Sequence, residues 1–190
     1  LLTIATILVF CFTSTTLAFA QNDDKIVIFH TEFGHLAIEL FSDDAPNTAE
    51  SFLKLAESGF YDETIFHRII KDFMIQGGDP NSKESDQSKW GQGGEKYGGG
   101  NLAAEFNSIK HDRGIVSMAR SQHPDSAGSQ FFIVHKNSSF LDERYTVFGR
   151  IITQESYDTL DKLANLETTT NDIPLEVIKA KIKKTEVVTR

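Results

Sequence analysis

FHRIIKDFMIQGGD, residues 66–79, combines one permanently charged side chain with several large apolar ones. Arg68 is followed within this stretch by Phe73, Met74 and Gln76. The apolar runs are too short for helices and predict two strands. A guanidinium, an amide and an apolar wall can therefore converge, which favours a pocket for one small ligand over a nucleophile, metal or phosphate site.

Short strands are predicted for much of the remaining chain. Residues 26–40 form two β-rich runs around Gly34, which is typical of a hairpin. Further strands are predicted over residues 115–119, 130–134, 146–152 and 178–183. Residues 80–100 are rich in Gly, Ser and Gln and predict a long surface loop.

Two amphipathic helices are predicted. In the first, Asn47 and Glu50 have the spacing of a capping box, and Gly59 marks the end. Its apolar positions are Ala49, Phe52, Leu53 and Ala56, and those of the second helix are Tyr157, Leu160 and Ala164. Many short strands with two helices favour an antiparallel barrel or sandwich.

Composition limits the class of protein. The chain has 190 residues, of which 39% are hydrophobic and 24% charged, as expected for one soluble globular core. The net charge of −8 argues against a nucleic-acid partner, because such proteins carry a basic surface.

The first residues predict export. Residues 1–20 carry no charge and end in Ala18-Phe19-Ala20, which is typical of a signal peptide, leaving one domain over residues 21–190. An uncleaved membrane anchor is the alternative, although an apolar run of about 12 residues is short for a span of about 20. The expected location is periplasmic, cell-surface or extracellular.

A second block, GSQFFI at residues 128–133, has the same mixed character. The two blocks together resemble the signature segments of the cyclophilins, the peptidyl-prolyl cis-trans isomerases, and the resemblance extends from Lys25 to the C-terminus. It implies a mainly β fold, a closed eight-stranded antiparallel β-barrel capped by two α-helices. It also implies isomerase activity without a cofactor or metal.

The resemblance assigns roles to individual residues. Arg68 matches the catalytic arginine of the family. The substrate-binding positions that it implies are Phe73, Met74, Gln76, Ala119, Arg120, Gln130, Phe132, Phe140, Leu141 and Tyr145.

Three of these positions depart from the common family pattern. Arg120 stands where many members have Asn, and Tyr145 where many eukaryotic members have His. Phe140 replaces a frequent Trp, which implies weaker binding of the cyclic peptide cyclosporin. The segment 122–126 resembles prokaryotic members.

The chemistry of arginine fits this activity. Arg68 cannot give up its proton in a protein and must act by charge and hydrogen bonding. Rotation about an X-Pro bond requires no proton transfer or covalent step, because its barrier of about 18–20 kcal/mol arises from amide resonance. A donor near the prolyl nitrogen and an apolar pocket around the ring can lower that barrier.

The predicted protein is a monomeric isomerase that acts on proline-containing peptides and unfolded client proteins, and so assists the folding of exported proteins. A proline-binding module with weak turnover is one alternative. A hydrolase using Ser129 is another, although the second glycine of a nucleophile elbow is missing. His67 is interpreted as a structural histidine, because no acid or nucleophile matches it.

Overall fold

The computed structural model describes residues 24–190, so the predicted signal peptide lies outside the described residues. The strands are β1 Lys25–His30, β2 His35–Leu40, β3 Arg68–Ile70, β4 Met74–Gly77, β5 Ile115–Met118, β6 Phe131–Val134, β7 Val147–Ile151 and β8 Lys184–Thr189. The helices are α1 Pro46–Glu57 and α2 Gln154–Ala164. The predicted hairpin, the two helices and the loop over residues 80–100 are confirmed, the loop containing two short 3-10 turns.

All eight strands form one antiparallel sheet in the order β3-β4-β6-β5-β7-β2-β1-β8. The predicted mainly β fold with two helices is confirmed, but the predicted closure is wrong, because β3 and β8 do not pair and the curled sheet is an open half-barrel. Irregular segments lie across the gap instead. Phe66 donates its backbone N–H to the Ala180 carbonyl at 2.9 Å, and Ile182 donates to the Thr64 carbonyl at 2.9 Å.

The last strand was predicted in the wrong place. Residues 177–180 form a 3-10 turn, and β8 begins only at Lys184. Ala180 and Ile182 are fully buried, whereas Ile178 is 73% exposed. The alternating apolar residues therefore include one that points to solvent, and the turn lets the chain cover the gap in the sheet before β8 starts.

Helix α1 begins without the predicted capping box. Its N-cap is Ala45, which has no side chain able to accept a hydrogen bond, and Asn47 lies inside the helix. The carboxylate of Glu105 accepts from the backbone N–H of Asn47 at 3.0 Å and of Thr48 at 2.8 Å. The predicted end at Gly59 agrees with its φ of +71°, a conformation that favours glycine.

The core contains two clusters of buried apolar side chains. The larger one joins α1 to the sheet through aromatic rings, with the Phe52 and Phe148 centroids 4.8 Å apart. The smaller one comprises Met74, Ile115, Phe132, Val134, Leu141 and Val147. Three of its members also line the candidate site described below. Within residues 24–190, no helix has the length and apolar character needed to cross a membrane.

Candidate active site

Strand register brings the two sequence blocks together. Arg68 on β3 lies opposite Gln76 on β4, and Gln76 lies opposite Phe132 on β6. Directly paired residues project to the same face of a sheet, so the charged, amide and aromatic side chains form a row across three strands. This row is the base of the site.

A cavity of about 120 Å³ opens above this row. It is lined by Arg68, Phe73, Met74, Gln76, Ala119, Arg120, Phe132, Leu141 and Tyr145. Met74, Phe132 and Leu141 are buried and supply its apolar lining, while Arg68 is half exposed. Buried apolar side chains, an amide and two arginines therefore line one small cavity.

Two predicted residues lie beside this cavity. Phe140 is 62% exposed, and its ring centroid lies 5.4 Å from that of Phe73 at the rim. Gln130 lines a neighbouring cavity of about 370 Å³. Its side chain accepts a hydrogen bond from Gln76 at 3.0 Å and donates to the Gly93 carbonyl at 2.7 Å. Gln130 therefore connects the site to the Gly-rich loop.

Arg68 forms an ion pair with Asp172, a residue that the sequence did not indicate. Its Nε donates to the Asp172 carboxylate at 3.3 Å, and Asp172 has a left-handed φ of +63°. Among residues 24–190, no acceptor binds the terminal nitrogens of Arg68, which leaves those donors available beside the cavity. Asp172 lies in an irregular segment with no motif, so only the fold reveals the pair.

Residues 26–187 match the family model described as cyclophilin type peptidyl-prolyl cis-trans isomerase. The chain belongs to this family. It is 44% identical over 151 residues to Peptidyl-prolyl cis-trans isomerase 10 of Caenorhabditis elegans, covering 78% of this chain and 88% of the relative. It is also 44% identical over 154 residues to Peptidyl-prolyl cis-trans isomerase-like 3 of Dictyostelium discoideum, covering 80% and 89%.

A solved cyclophilin has the same fold. The crystal structure of a Cryptosporidium parvum cyclophilin type peptidyl-prolyl cis-trans isomerase, determined in the presence of the dipeptide Ala-Pro, superposes with a TM-score of 0.75 at 37% identity. The match covers 87% of this chain and 99% of that one. The present cyclophilin is accordingly a peptidyl-prolyl cis-trans isomerase. The likeness of segment 122–126 to prokaryotic members stays a prediction.

Behind the pocket of this cyclophilin lies a buried polar group that the sequence analysis missed. His111 is stacked on Phe132, with centroids 6.0 Å apart. Its Nδ1 lies 3.1 Å from an Asp142 carboxylate oxygen, and its Nε2 lies 3.2 Å from the Ser117 hydroxyl oxygen. Burial lowers the pKa of His111, although Asp142 acts in the opposite direction. Ser117 is fully buried, so this arrangement supports Phe132 and has no exposed nucleophile.

The structure excludes the hydrolase alternative. Ser129 is fully buried, and its hydroxyl donates to the Gly78 carbonyl at 2.6 Å. A nucleophilic serine must reach its substrate and have a base beside it, and Ser129 has neither access nor such a partner among the described residues. Across residues 24–190, no group of three or more His, Cys, Asp or Glu side chains is arranged to hold a metal.

Proposed function

We propose that this cyclophilin binds the proline ring of an X-Pro segment against Met74, Phe132 and Leu141, with Arg68 as the catalytic residue. The observation that carries this proposal is the row across β3, β4 and β6, which sets the guanidinium beside a small cavity with buried apolar side chains in its lining. An apolar pocket with one directed cation suits a proline ring next to a polar amide.

The proposed mechanism uses only hydrogen bonding and charge. In the twisted transition state the prolyl nitrogen loses its amide resonance and becomes pyramidal, so its lone pair can accept a hydrogen bond. A terminal N–H of Arg68 can donate to that nitrogen, while Gln76 can donate to a neighbouring backbone carbonyl of the substrate. Donors fixed before the reaction need no reorganisation, and this lowers the barrier in the twisted state.

Replacement of Arg68 tests this assignment. We expect Arg68→Ala to lower kcat/KM for a short Ala-Pro peptide by about 100-fold or more, which is the usual effect of removing one transition-state donor. Arg68→Lys keeps the charge but loses the planar fork, and we expect only partial recovery. The measurement is protease-coupled isomerisation, with circular dichroism to verify folding. Equal rates for wild type and folded Arg68→Ala would contradict the role of Arg68.

The proposed biological role is assistance to the folding of exported proteins by a monomer that binds cyclosporin weakly. The uncharged segment over residues 1–20 supports export, and Phe140 in place of a tryptophan supports weak binding of the inhibitor. Mass spectrometry of the N-terminus of the protein purified from its native source tests the first point. A chain starting at Gln21 is expected, whereas an intact segment 1–20 would contradict release by cleavage.

A further inference from the structure

Arg120 lines both cavities of the site, yet its guanidinium is largely engaged by the protein itself. Nε and Nη2 donate to the Arg144 carbonyl at 3.0 and 2.8 Å. Nη1 donates to the Ser121 carbonyl at 2.9 Å and to the Gln122 carbonyl at 3.3 Å. Three backbone carbonyls from two loops are therefore held by one side chain.

The same guanidinium lies against the aromatic side chain that forms one wall of the pocket. Its central carbon is 4.6 Å from the Tyr145 ring centroid and 5.7 Å from that of Phe106. A planar cation stacked on an aromatic face is attracted to it electrostatically. Tyr145 also contacts Phe132, with ring centroids 5.7 Å apart in an edge-to-face arrangement. The Tyr145 ring therefore contacts both the Arg120 guanidinium and Phe132 at the base of the site.

The loop that carries Tyr145 has an unfavourable backbone conformation. Glu143 has a φ of +59°, a left-handed conformation that costs a residue with a side chain about 1 kcal/mol or more. Such a conformation persists only where surrounding contacts fix it. Next to it, Arg144 donates its N–H to the Leu141 carbonyl at 3.1 Å, while its own carbonyl accepts both bonds from Arg120.

We infer that Arg120 is a positioning residue for the isomerase reaction: it fixes the loop 142–145 and holds the Tyr145 ring against Phe132, so that the proline pocket keeps its shape. The inference rests on the proline pocket proposed above. It differs from the role that the resemblance gives Arg120, which is direct contact with the substrate. With four of its hydrogen bonds committed to backbone carbonyls, the guanidinium is occupied by the protein.

A double-mutant cycle with peptides of different charge tests the inference. We expect Arg120→Ala to lower kcat/KM about tenfold, because a displaced pocket wall misaligns the bound proline. In the Tyr145→Ala background, the same replacement should cost less than about twofold, since its effect passes through Tyr145. The loss should be the same within about twofold for Glu-Pro, Ala-Pro and Lys-Pro peptides, because the charge of Arg120 is not used on the substrate.

Two further variants separate positioning from charge and from general stability. Arg120→Lys keeps the charge but cannot bridge the two loops, so we expect it to retain most of the defect. Arg150 is a matched control outside the pocket, because it also donates to a neighbour, Glu39 at 2.8 Å, and lies 5.9 Å from the Phe41 ring. Arg150→Ala should change kcat/KM by less than about twofold.

Nuclear magnetic resonance of ring-labelled tyrosine gives a readout that does not depend on turnover. Arg120→Ala should shift the Tyr145 resonances and leave those of Tyr61, Tyr97 and Tyr157 in place. The inference would be overturned if the Tyr145 signals did not move, or if Arg120→Ala still lowered kcat/KM in the Tyr145→Ala background. Full activity of Arg120→Lys, or a loss of kcat/KM confined to Glu-Pro peptides, would also overturn it. The proposed proline pocket is tested separately by Arg68→Ala. Equal rates for that variant and wild type would contradict the proposed function, whatever the result at Arg120.

Discussion

His67 precedes Arg68 in the sequence but lies in a different environment. His67 is 4% exposed, and among the described residues neither ring nitrogen has a hydrogen-bond partner of normal geometry. Burial lowers the pKa of His67 from its ordinary value of 6.5, although the nearby Asp79 carboxylate acts in the opposite direction. Its interpretation as a structural histidine agrees with this burial, and the imidazole is neutral in the folded protein near pH 7.

This burial predicts a loss of stability in acid. Below pH 6.5, His67 is protonated in the unfolded chain but stays neutral in the folded chain until the pH reaches its lower folded pKa. The free energy of unfolding therefore falls as pH decreases toward the folded pKa. The contribution of one such group reaches about 1.4 kcal/mol for each pH unit. His67→Phe removes the titration and keeps an aromatic ring. Urea unfolding of both proteins at pH 8 and pH 5.5 measures the difference.

The pH 8 comparison is the internal control, because there the two proteins differ only in packing. From pH 8 to pH 5.5 we expect the wild type to lose more stability than His67→Phe. An equal loss in both proteins would show that another group causes the acid sensitivity.

At the scale of the secondary-structure element, the start of α1 depends on a distant carboxylate. Burial alone would raise the pKa of Glu105, but hydrogen bonds from Thr48 and Asn47 outweigh this, and its pKa is lowered. A negative charge at a helix N-terminus is favourable because the first backbone N–H groups point toward it. Glu105 thus joins the loop 101–110 to the helix that covers the sheet.

Glu105→Gln is expected to lower the free energy of unfolding at pH 7 by about 1 kcal/mol or more, the usual cost of a lost helix cap. The pKa of Glu105 is lowered in the folded state, so its charge stabilises the protein above the unfolded value near 4.5. That contribution is lost as pH falls through the folded pKa. Urea unfolding at several pH values measures both effects.

Glu50→Gln is the matched control, because Glu50 lies exposed in the same helix and was predicted to form the capping box. We expect it to change the free energy of unfolding by less than about 0.5 kcal/mol. A larger loss of stability in Glu50→Gln than in Glu105→Gln would support the predicted capping box and contradict the observed start of the helix.

Elements were predictable where the signal is local. The Gly34 hairpin and both helices follow from periodicity and turn residues that lie within a few positions of each other. The cap of α1 was not predictable, because Glu105 lies 57 residues beyond Thr48. The last strand was misplaced because alternation cannot distinguish a strand from a 3-10 turn and the irregular residues after it, which bury Ala180 and Ile182.

For the molecule as a whole, the class of fold and the composition of the site follow from the amino-acid sequence alone. Alternating apolar runs require a β-sheet with a buried face, and an arginine among large apolar residues restricts the chemistry to hydrogen bonding and charge. Most of the predicted site residues do line one cavity. These properties depend on residue type and local spacing, which the sequence contains.

How the sheet ends and what supports the site depend on contacts made in the folded molecule. β3 and β8 end the sheet without pairing. The pair of Arg68 with Asp172 and the bonds from Arg120 to the Arg144 carbonyl each join residues that are far apart in the chain. Such contacts depend on strand register and on loop paths that minimise the free energy of the complete molecule. A local sequence pattern carries no information about these contacts, because neither partner belongs to a motif that indicates the other.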